Sequence, residues 1–157
     1  MINWYITTPT IYISHPIRGK YGEKSTIETE NDNCRKAHLA AKRIRFIFPE
    51  IELYVPGENE ILTRTLKKHG NLCTKQILEA DCEILSYCDA WMFYNFDVSN
   101  GSMVEENKAK SIGYLFNKKI QVIKFNIEEA SINIIRKKIG PIVEFAIKTH
   151  KKMLKMW

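Results

Sequence analysis

The sequence predicts an α/β fold, in which a parallel β-sheet carries helices on both faces. Four short runs rich in β-branched and aromatic residues alternate with longer segments whose apolar residues recur at helical spacing. Strands that alternate with helices are joined by right-handed crossovers, so neighbouring strands run parallel and the sheet is covered on both sides. The 157 residues, of which 45% are hydrophobic, suffice for the core of one such domain.

Local signals set the bounds of the predicted elements. The first strand ends abruptly at His15-Pro16, and Pro49 stops the helix that follows. Pro56-Gly57 closes the second strand, residues 58–70 are ambiguous between helix and loop, and Gly140-Pro141 is expected to interrupt or kink the last helix. The predicted strands are residues 10–14, 51–55, 90–94 and 119–125, and the predicted helices are residues 32–48, 71–87, 102–116 and 127–156.

Composition and charge narrow the classes of function. Lys and Arg exceed Asp and Glu by 24 to 18, and the net charge of +6 favours anionic ligands in general. Solvated, lysine-rich helix faces explain this charge better than nucleic-acid binding does, because the chain has neither an aromatic–basic RNA motif nor zinc-finger spacing. The four cysteines lack metal-ligand spacing, so we expect reduced thiols, no metal and no other cofactor.

The sequence carries no evident targeting or membrane signal. It has no run of about 18 apolar residues and no signal-peptide pattern, so we expect a cytoplasmic protein without a membrane partner. Because no linker or repeat divides the chain, we predict a single domain over residues 1–157. Within it, residues 1–9 form an N-terminal extension and residues 127–157 form a C-terminal helical segment.

The predicted helix over residues 102–116 carries a carboxylate on its apolar face. Glu105 shares that face with Ala109 and Ile112, so its side chain is expected to point inward. A buried carboxylate beside the backbone N–H groups of a helix N-terminus suits covalent or acid–base chemistry on an anionic ligand. The alternative is structural, because Ser102-x-x-Glu105 also matches a capping box.

Polar and glycine residues gather where two predicted strands end. The carboxyl ends of parallel strands meet at one edge of a sheet, which is where such folds bind ligands. Arg18-Gly19 offers a guanidinium beside backbone that a ligand can approach closely, and Ser99 offers a hydroxyl, so together they form a candidate phosphate clamp. The candidate binding residues are Ser14, His15, Ile17, Arg18 and Gly19 after the first strand, and Ser99 and Gly101 after the third.

Two further side chains are candidates because of their place in the pattern. Asp81 lies in the apolar stripe of the helix over residues 71–87, where a charge is costly unless it is paired or functional. A structural role for Asp81 is equally open, because a buried Asp also bonds backbone or pairs with a lysine. Tyr12 faces the side opposite to Ile11 and Ile13, and a core tyrosine there needs a hydrogen-bond partner for its hydroxyl.

Three motifs follow one another along residues 10–125. They are Tyr12-Ile13-Ser14-His15-Pro16-Ile17-Arg18-Gly19, Asp81-x7-Asp89 and Ser99-x-Gly101-x3-Glu105-x3-Ala109-x3-Gly113. In type and order they resemble the nucleoside 2-deoxyribosyltransferase superfamily, and the Glu-x3-Ala-x3-Gly helix with its upstream glycine is the most specific of them. The resemblance implies a flavodoxin-like (Rossmann-like) parallel sheet, in agreement with the fold that the periodicity predicts.

The resemblance also implies cleavage of an N-glycosidic bond. Glu105 matches the family's nucleophile, which attacks C1′ of the sugar, and Tyr12 matches a tyrosine that holds this glutamate. Asp81 matches the carboxylate that assists protonation of the leaving base. Ser99 and Ile17-Arg18-Gly19 match the members that hydrolyse deoxynucleoside 5′-monophosphates, whereas nucleoside transferases typically carry Asp at the position of Ser99.

We therefore expect hydrolysis of a (deoxy)nucleoside 5′-monophosphate to free base and sugar 5-phosphate. Two alternatives remain: a 2-deoxyribosyltransferase that exchanges the bases of nucleosides, and a non-catalytic nucleotide-binding module. The resemblance further implies a homodimer or a larger homo-oligomer. The chain departs from the family at His15, where a glycine is usual.

Overall fold

The structure is a computed structural model that describes residues 7–96, 100–116 and 118–156. Its strands are β1 (Thr10–Ser14), β2 (Glu52–Tyr54), β3 (Ala90–Tyr94) and β4 (Lys119–Ile123). Its helices are α1 (Ile27–Ile47), α2 (Glu60–Lys68), α3 (Thr74–Tyr87), α4 (Asn100–Phe116) and α5 (Ile132–Leu154). Two short 3-10 helices span Gly19–Lys24 and Pro56–Asn59.

The four strands form one sheet in the order β2-β1-β3-β4, and every pair of neighbours is parallel. Each connection between parallel strands contains at least one helix, as a crossover requires. The predicted α/β fold is confirmed, and the architecture is that of a flavodoxin-like domain. The carboxyl ends of β1 and β3 lie side by side at the centre of the sheet, which is where the predicted site residues begin.

The two faces of the sheet are covered differently. Because alternate strand residues point to opposite faces, Ile11 and Met92 join a large core that α1 and α5 complete. Tyr12 and Trp91 point the other way, into a smaller cluster with Leu85 of α3 and with α4. No residue of α2 is buried. The candidate site therefore lies on the less densely covered face.

Two predicted helix starts are wrong for local reasons, and the ambiguous segment between them is resolved. Helix α1 begins at Ile27 rather than at residue 32, because the Thr26 hydroxyl caps it by accepting a hydrogen bond from the Thr29 N–H at 3.2 Å. The ambiguous residues 58–70 form the end of a 3-10 helix and then α2. Helix α5 begins at Ile132 rather than at residue 127, because the Ser131 hydroxyl accepts a hydrogen bond from the Ile134 N–H.

Of the two outcomes expected at Gly140-Pro141, the interruption does not occur, since α5 is one continuous helix with the proline inside it. Ile139 and Ile142 on either side of the pair are buried against the sheet, and this packing holds the helix together where Pro141 removes a backbone donor. The remaining bounds differ from the prediction by at most three residues at either end. Within the described ranges, no helix combines the length and apolarity needed to cross a membrane.

Asp89 joins the amino-terminal ends of the two central strands to α5. Its Oδ2 accepts a hydrogen bond from the Thr10 N–H at 2.9 Å, and its own N–H donates to the Thr10 carbonyl at 2.8 Å. The Nδ1 of His150 lies 3.3 Å from the same carboxylate, and both side chains are buried. Asp89 is therefore a structural residue at the edge of the sheet opposite the candidate site.

We predict that Asp89→Ala lowers the free energy of unfolding by about 1–3 kcal/mol. The substitution removes the acceptor of the Thr10 N–H and leaves the buried His150 without its neighbouring carboxylate. Urea unfolding at neutral pH measures this. Asp32→Ala, at an exposed ion pair on α1, is the matched control and is expected to have little effect. Equal losses in the two variants would contradict the structural role of Asp89.

Candidate functional site

A cavity of about 390 Å³ opens between the segment that follows β1 and the helices α2, α3 and α4. It lies at the carboxyl ends of the central strands, where parallel sheets bind ligands. Its wall combines apolar side chains with side chains of both charges, which is typical of a small-molecule site. Six of the predicted site residues line this cavity, namely His15, Ile17, Arg18, Gly19, Asp81 and Glu105.

The carboxylate of Glu105 is held by two hydroxyls from one strand. The Tyr12 hydroxyl donates to Oε1 at 2.9 Å, and the Ser14 hydroxyl donates to Oε2. Residues 12 and 14 share a face of β1 because strand side chains alternate, so a single strand delivers both donors. Glu105 is only 6% exposed, yet it lines the cavity. Its carboxylate is therefore held in one position at the wall of the cavity.

The capping-box interpretation of Glu105 is wrong. Helix α4 begins at Asn100, so Glu105 lies in its second turn rather than at the third helical position. Both of its carboxylate oxygens accept hydrogen bonds from β1. Ser14 was predicted to contact a ligand, and its hydroxyl instead donates a hydrogen bond to this carboxylate.

Asp81 provides a second carboxylate in the same cavity. It projects from α3 and accepts a hydrogen bond on Oδ1 from the Tyr54 hydroxyl at 3.3 Å. The ring of Tyr54 packs against that of Tyr12, with centroids 5.3 Å apart. Tyr54 was not among the predicted site residues, although its place at the end of the alternating run Glu52-Leu53-Tyr54 is a local signal for it.

Burial shifts the ionisation of both carboxyl groups. It raises the pKa of Glu105 to about 7, assisted by the charge of Asp81 and opposed by the hydrogen bonds from Ser14 and Tyr12. Burial also raises the pKa of Asp81 to about 6, assisted by the charge of Glu60 and opposed by the hydrogen bond from Tyr54. Two carboxyl groups that titrate near neutrality in one cavity are suited to proton transfer and nucleophilic attack.

Arg18 and Gly19 form the outer part of the segment after β1. Gly19 adopts a φ of 59°, which a glycine takes without strain. The Nε of Arg18 lies 3.7 Å from the carboxylate of Glu30, a loose ion pair that leaves the guanidinium at the wall of the cavity. The Ile17 carbonyl accepts a hydrogen bond from the Asn33 amide at 2.9 Å, which ties the segment to α1.

His15 is buried and has a structural partner. Its Nε2 accepts a hydrogen bond from the Gly57 N–H at 3.0 Å, and burial lowers its pKa to about 4, so the ring is neutral at physiological pH. A Cβ at position 57 would lie 2.5 Å from the His15 ring, so the imidazole fits only because residue 57 is glycine. The bulky His15 and the bare Gly57 are thus a complementary pair that links the segments after β1 and β2.

Two of the predicted site residues, Ser99 and Gly101, follow the third strand. Ser99 lies outside the described residues. Gly101 falls in the first turn of α4. Across residues 7–96, 100–116 and 118–156, no group of three His, Cys, Asp or Glu side chains is arranged to hold a metal ion.

Comparison of the chain with protein-family models, with curated proteins and with solved structures finds no match.

We predict that Glu105→Gln stabilises the protein much more at pH 8 than at pH 5. The pKa of Glu105 is about 7 in the folded chain against an ordinary 4.5, so its ionisation begins to oppose folding above about pH 4.5 and opposes it fully above about pH 7. The expected gain in the free energy of unfolding at pH 8 is on the order of 2–3 kcal/mol, measured by urea unfolding at both pH values.

The matched control is Glu106→Gln, because Glu106 forms a solvent-side ion pair with Lys110 on the same helix. That variant is expected to show no gain that depends on pH. A Glu105→Gln effect of the same size at pH 5 and pH 8 would contradict the raised pKa.

Proposed function

We propose that this protein hydrolyses the N-glycosidic bond of a (deoxy)nucleoside 5′-monophosphate, giving free base and sugar 5-phosphate. One observation carries the proposal: a buried glutamate, fixed by two hydroxyls of one strand, shares a cavity with a second carboxyl group that also titrates near neutrality. A pair of carboxyl groups on either side of a reacting bond is the arrangement that glycoside cleavage uses. The motif resemblance assigns the same roles to the same residues.

The proposed reaction has two balanced steps. First, a Glu105 oxygen attacks C1′, the C1′–N bond breaks, and the electron pair passes to the base, which takes a proton from Asp81. Then a water molecule attacks C1′, its proton passes to the Asp81 carboxylate, and the bond to Glu105 breaks. The products are the free base and the sugar phosphate, and both carboxyl groups return to their starting states.

These roles need Glu105 ionised and Asp81 protonated at the start. The pKa of Glu105 is about 7 and that of Asp81 about 6, so the pair first ionises at Asp81 as the pH rises. The single shared proton then lies more on Glu105 than on Asp81, so the productive arrangement is the less populated of the two. Activity is expected to peak between about pH 6 and 7, with an alkaline limb that follows Glu105.

The lining of the cavity supports a nucleotide of mixed polarity. Lys20 and Lys67 join Arg18 at the wall and give three cationic groups for a phosphate. The apolar side chains of Ile77 and Leu78 offer a surface for a planar base. An anion bound near Arg18 would compete with Glu30 for the guanidinium.

One observation favours the base-exchanging alternative. Arg18 already pairs with Glu30, and the carboxylates of Glu23 and Glu60 lie at the same wall, so a neutral nucleoside meets less repulsion there than a monophosphate does. A 2-deoxyribosyltransferase would use the same attack by Glu105 and pass the sugar to a second base. Inorganic phosphate should then leave the reaction unaffected, whereas it should compete with a monophosphate substrate.

The direct test is release of free base from a panel of ribo- and deoxynucleoside 5′-monophosphates and the matching nucleosides, followed by chromatography. We expect release from monophosphates by the wild type, a loss of at least about 1,000-fold in Glu105→Gln, and near wild-type rates in Glu106→Gln. Base exchange without net release would establish the transferase instead. If neither base release nor base exchange is detected, and ligands still stabilise Glu105→Gln, the protein would be a non-catalytic nucleotide-binding module.

A second prediction concerns the hydroxyls on Glu105. Ser14→Ala removes the larger of the two hydrogen-bond effects that hold down the Glu105 pKa, so that pKa rises. The alkaline limb of the pH–rate profile should move to higher pH by about 1, and the maximal rate should fall about tenfold as the productive form becomes scarcer. Tyr12→Phe should produce the same changes to a smaller extent, and a limb that moves to lower pH would contradict the assignment.

A further inference from the structure

Each carboxyl group in the cavity accepts a hydrogen bond from a tyrosine hydroxyl, Glu105 from Tyr12 and Asp81 from Tyr54. Tyr12 and Tyr54 are directly paired in the register of β1 and β2, and their rings pack with centroids 5.3 Å apart. The Tyr12 hydroxyl donates to Glu105 at 2.9 Å, and the Tyr54 hydroxyl donates to Asp81 at 3.3 Å. Each carboxyl group is therefore held by a tyrosine from a neighbouring strand.

The hydrogen bond also distinguishes the two oxygens of Asp81. Tyr54 donates to Oδ1, which is therefore the held oxygen of the ionised carboxylate. When Asp81 is protonated, the same hydrogen bond is kept if the proton lies on Oδ2, so the contact favours that oxygen. A fixed direction for that proton is what a general acid needs, because proton transfer depends on alignment with the accepting atom.

Other ionisable groups act on Asp81 from the surrounding elements. Glu60 of α2 and Glu105 of α4 repel the negative charge of Asp81. Tyr12 of β1 also interacts with the charge of Asp81. Cys82 follows Asp81 on α3, and its pKa is raised by burial and by both carboxylates. The cationic side chains at the cavity wall are Arg18, Lys20 and Lys67. Burial and Glu60 both favour the neutral carboxyl group, and the Tyr54 hydroxyl opposes them.

We propose that Tyr54 is a positioning residue that orients Asp81 for proton exchange with the leaving base, as the strand partner of Tyr12. This inference rests on the proposed function for its chemical meaning, whereas the hydrogen bond itself can be tested without any substrate. Tyr54 acts through Asp81 and does not touch the reacting atoms.

The first test is a carboxyl ¹³C NMR titration of aspartate-labelled protein. The Asp81 signal is assigned by its loss in Asp81→Asn, and its pKa is compared in the wild type, Tyr54→Phe and Tyr87→Phe. Tyr87 is exposed at the end of α3 and serves as the matched control. In Tyr54→Phe the pKa of Asp81 should rise by about 0.5–1, because a donor to the ionised form is lost, and in Tyr87→Phe it should not move.

The second test is the rate of base release by the same proteins. A higher Asp81 pKa alone would increase the productive form and raise the maximal rate, whereas loss of orientation lowers it. We expect the maximal rate of Tyr54→Phe to fall by about threefold or more while its KM stays near that of the wild type. Thermal melting of each variant confirms that the change leaves the fold intact.

The outcomes separate the two proposals. An Asp81 pKa that does not move in Tyr54→Phe overturns the inference, whatever the activity. A raised pKa with an unchanged or faster maximal rate also overturns it, because Tyr54 then tunes charge without orienting the proton. If the wild type releases no base from any substrate, the proposed function fails, and with it the catalytic meaning of Tyr54, although a shifted Asp81 would still establish the hydrogen bond.

Discussion

The burial of the Glu105 carboxylate is the constraint on which the site depends. Removing a carboxylate from water is costly, and here two hydroxyls of β1 supply part of the missing solvation. They do not supply all of it, since the pKa of Glu105 stays well above its ordinary value. The difference is a destabilisation that the rest of the fold must support. A group kept in such a state at the wall of a cavity is more consistent with chemistry than with stability.

The support comes from the opposite face of the sheet. There α1 and α5 pack on the strands through a continuous core of aliphatic residues, and Asp89 ties the strand starts to α5. On the site face the cluster is smaller, α2 buries no residue, and much of α3 faces the cavity or solvent. Elements with few buried residues open at a lower free-energy cost than a core does, so the stability of the sheet depends on the opposite face.

The sequence predicted those features that depend on local patterns. The bounds of β1 and β3, the inward direction of Glu105 and the opposite facing of Tyr12 all follow from periodicity. The start of α1 was missed because the cap at Thr26 lies within a polar segment that looks like a loop. Tyr54 was missed because its partner Asp81 lies 27 residues away, and no local signal pairs them. The fit of His15 against Gly57 likewise depends on two segments that meet only in the folded chain.

The two tyrosine–carboxyl pairs differ in a way that bears on the roles proposed for the two acids. Two carboxyl groups with identical surroundings would share one proton without preference, and neither would be reliably nucleophile or acid. Here Glu105 has two hydroxyl donors and Asp81 has one, among the contacts that the described residues make. Under the proposed reaction, positive charge that develops at C1′ would favour an ionised Glu105 and so shift the shared proton toward Asp81, against the order of the two pKa values. The proposed roles thus depend on charge in the bound substrate as well as on the hydroxyl contacts of the two carboxyl groups.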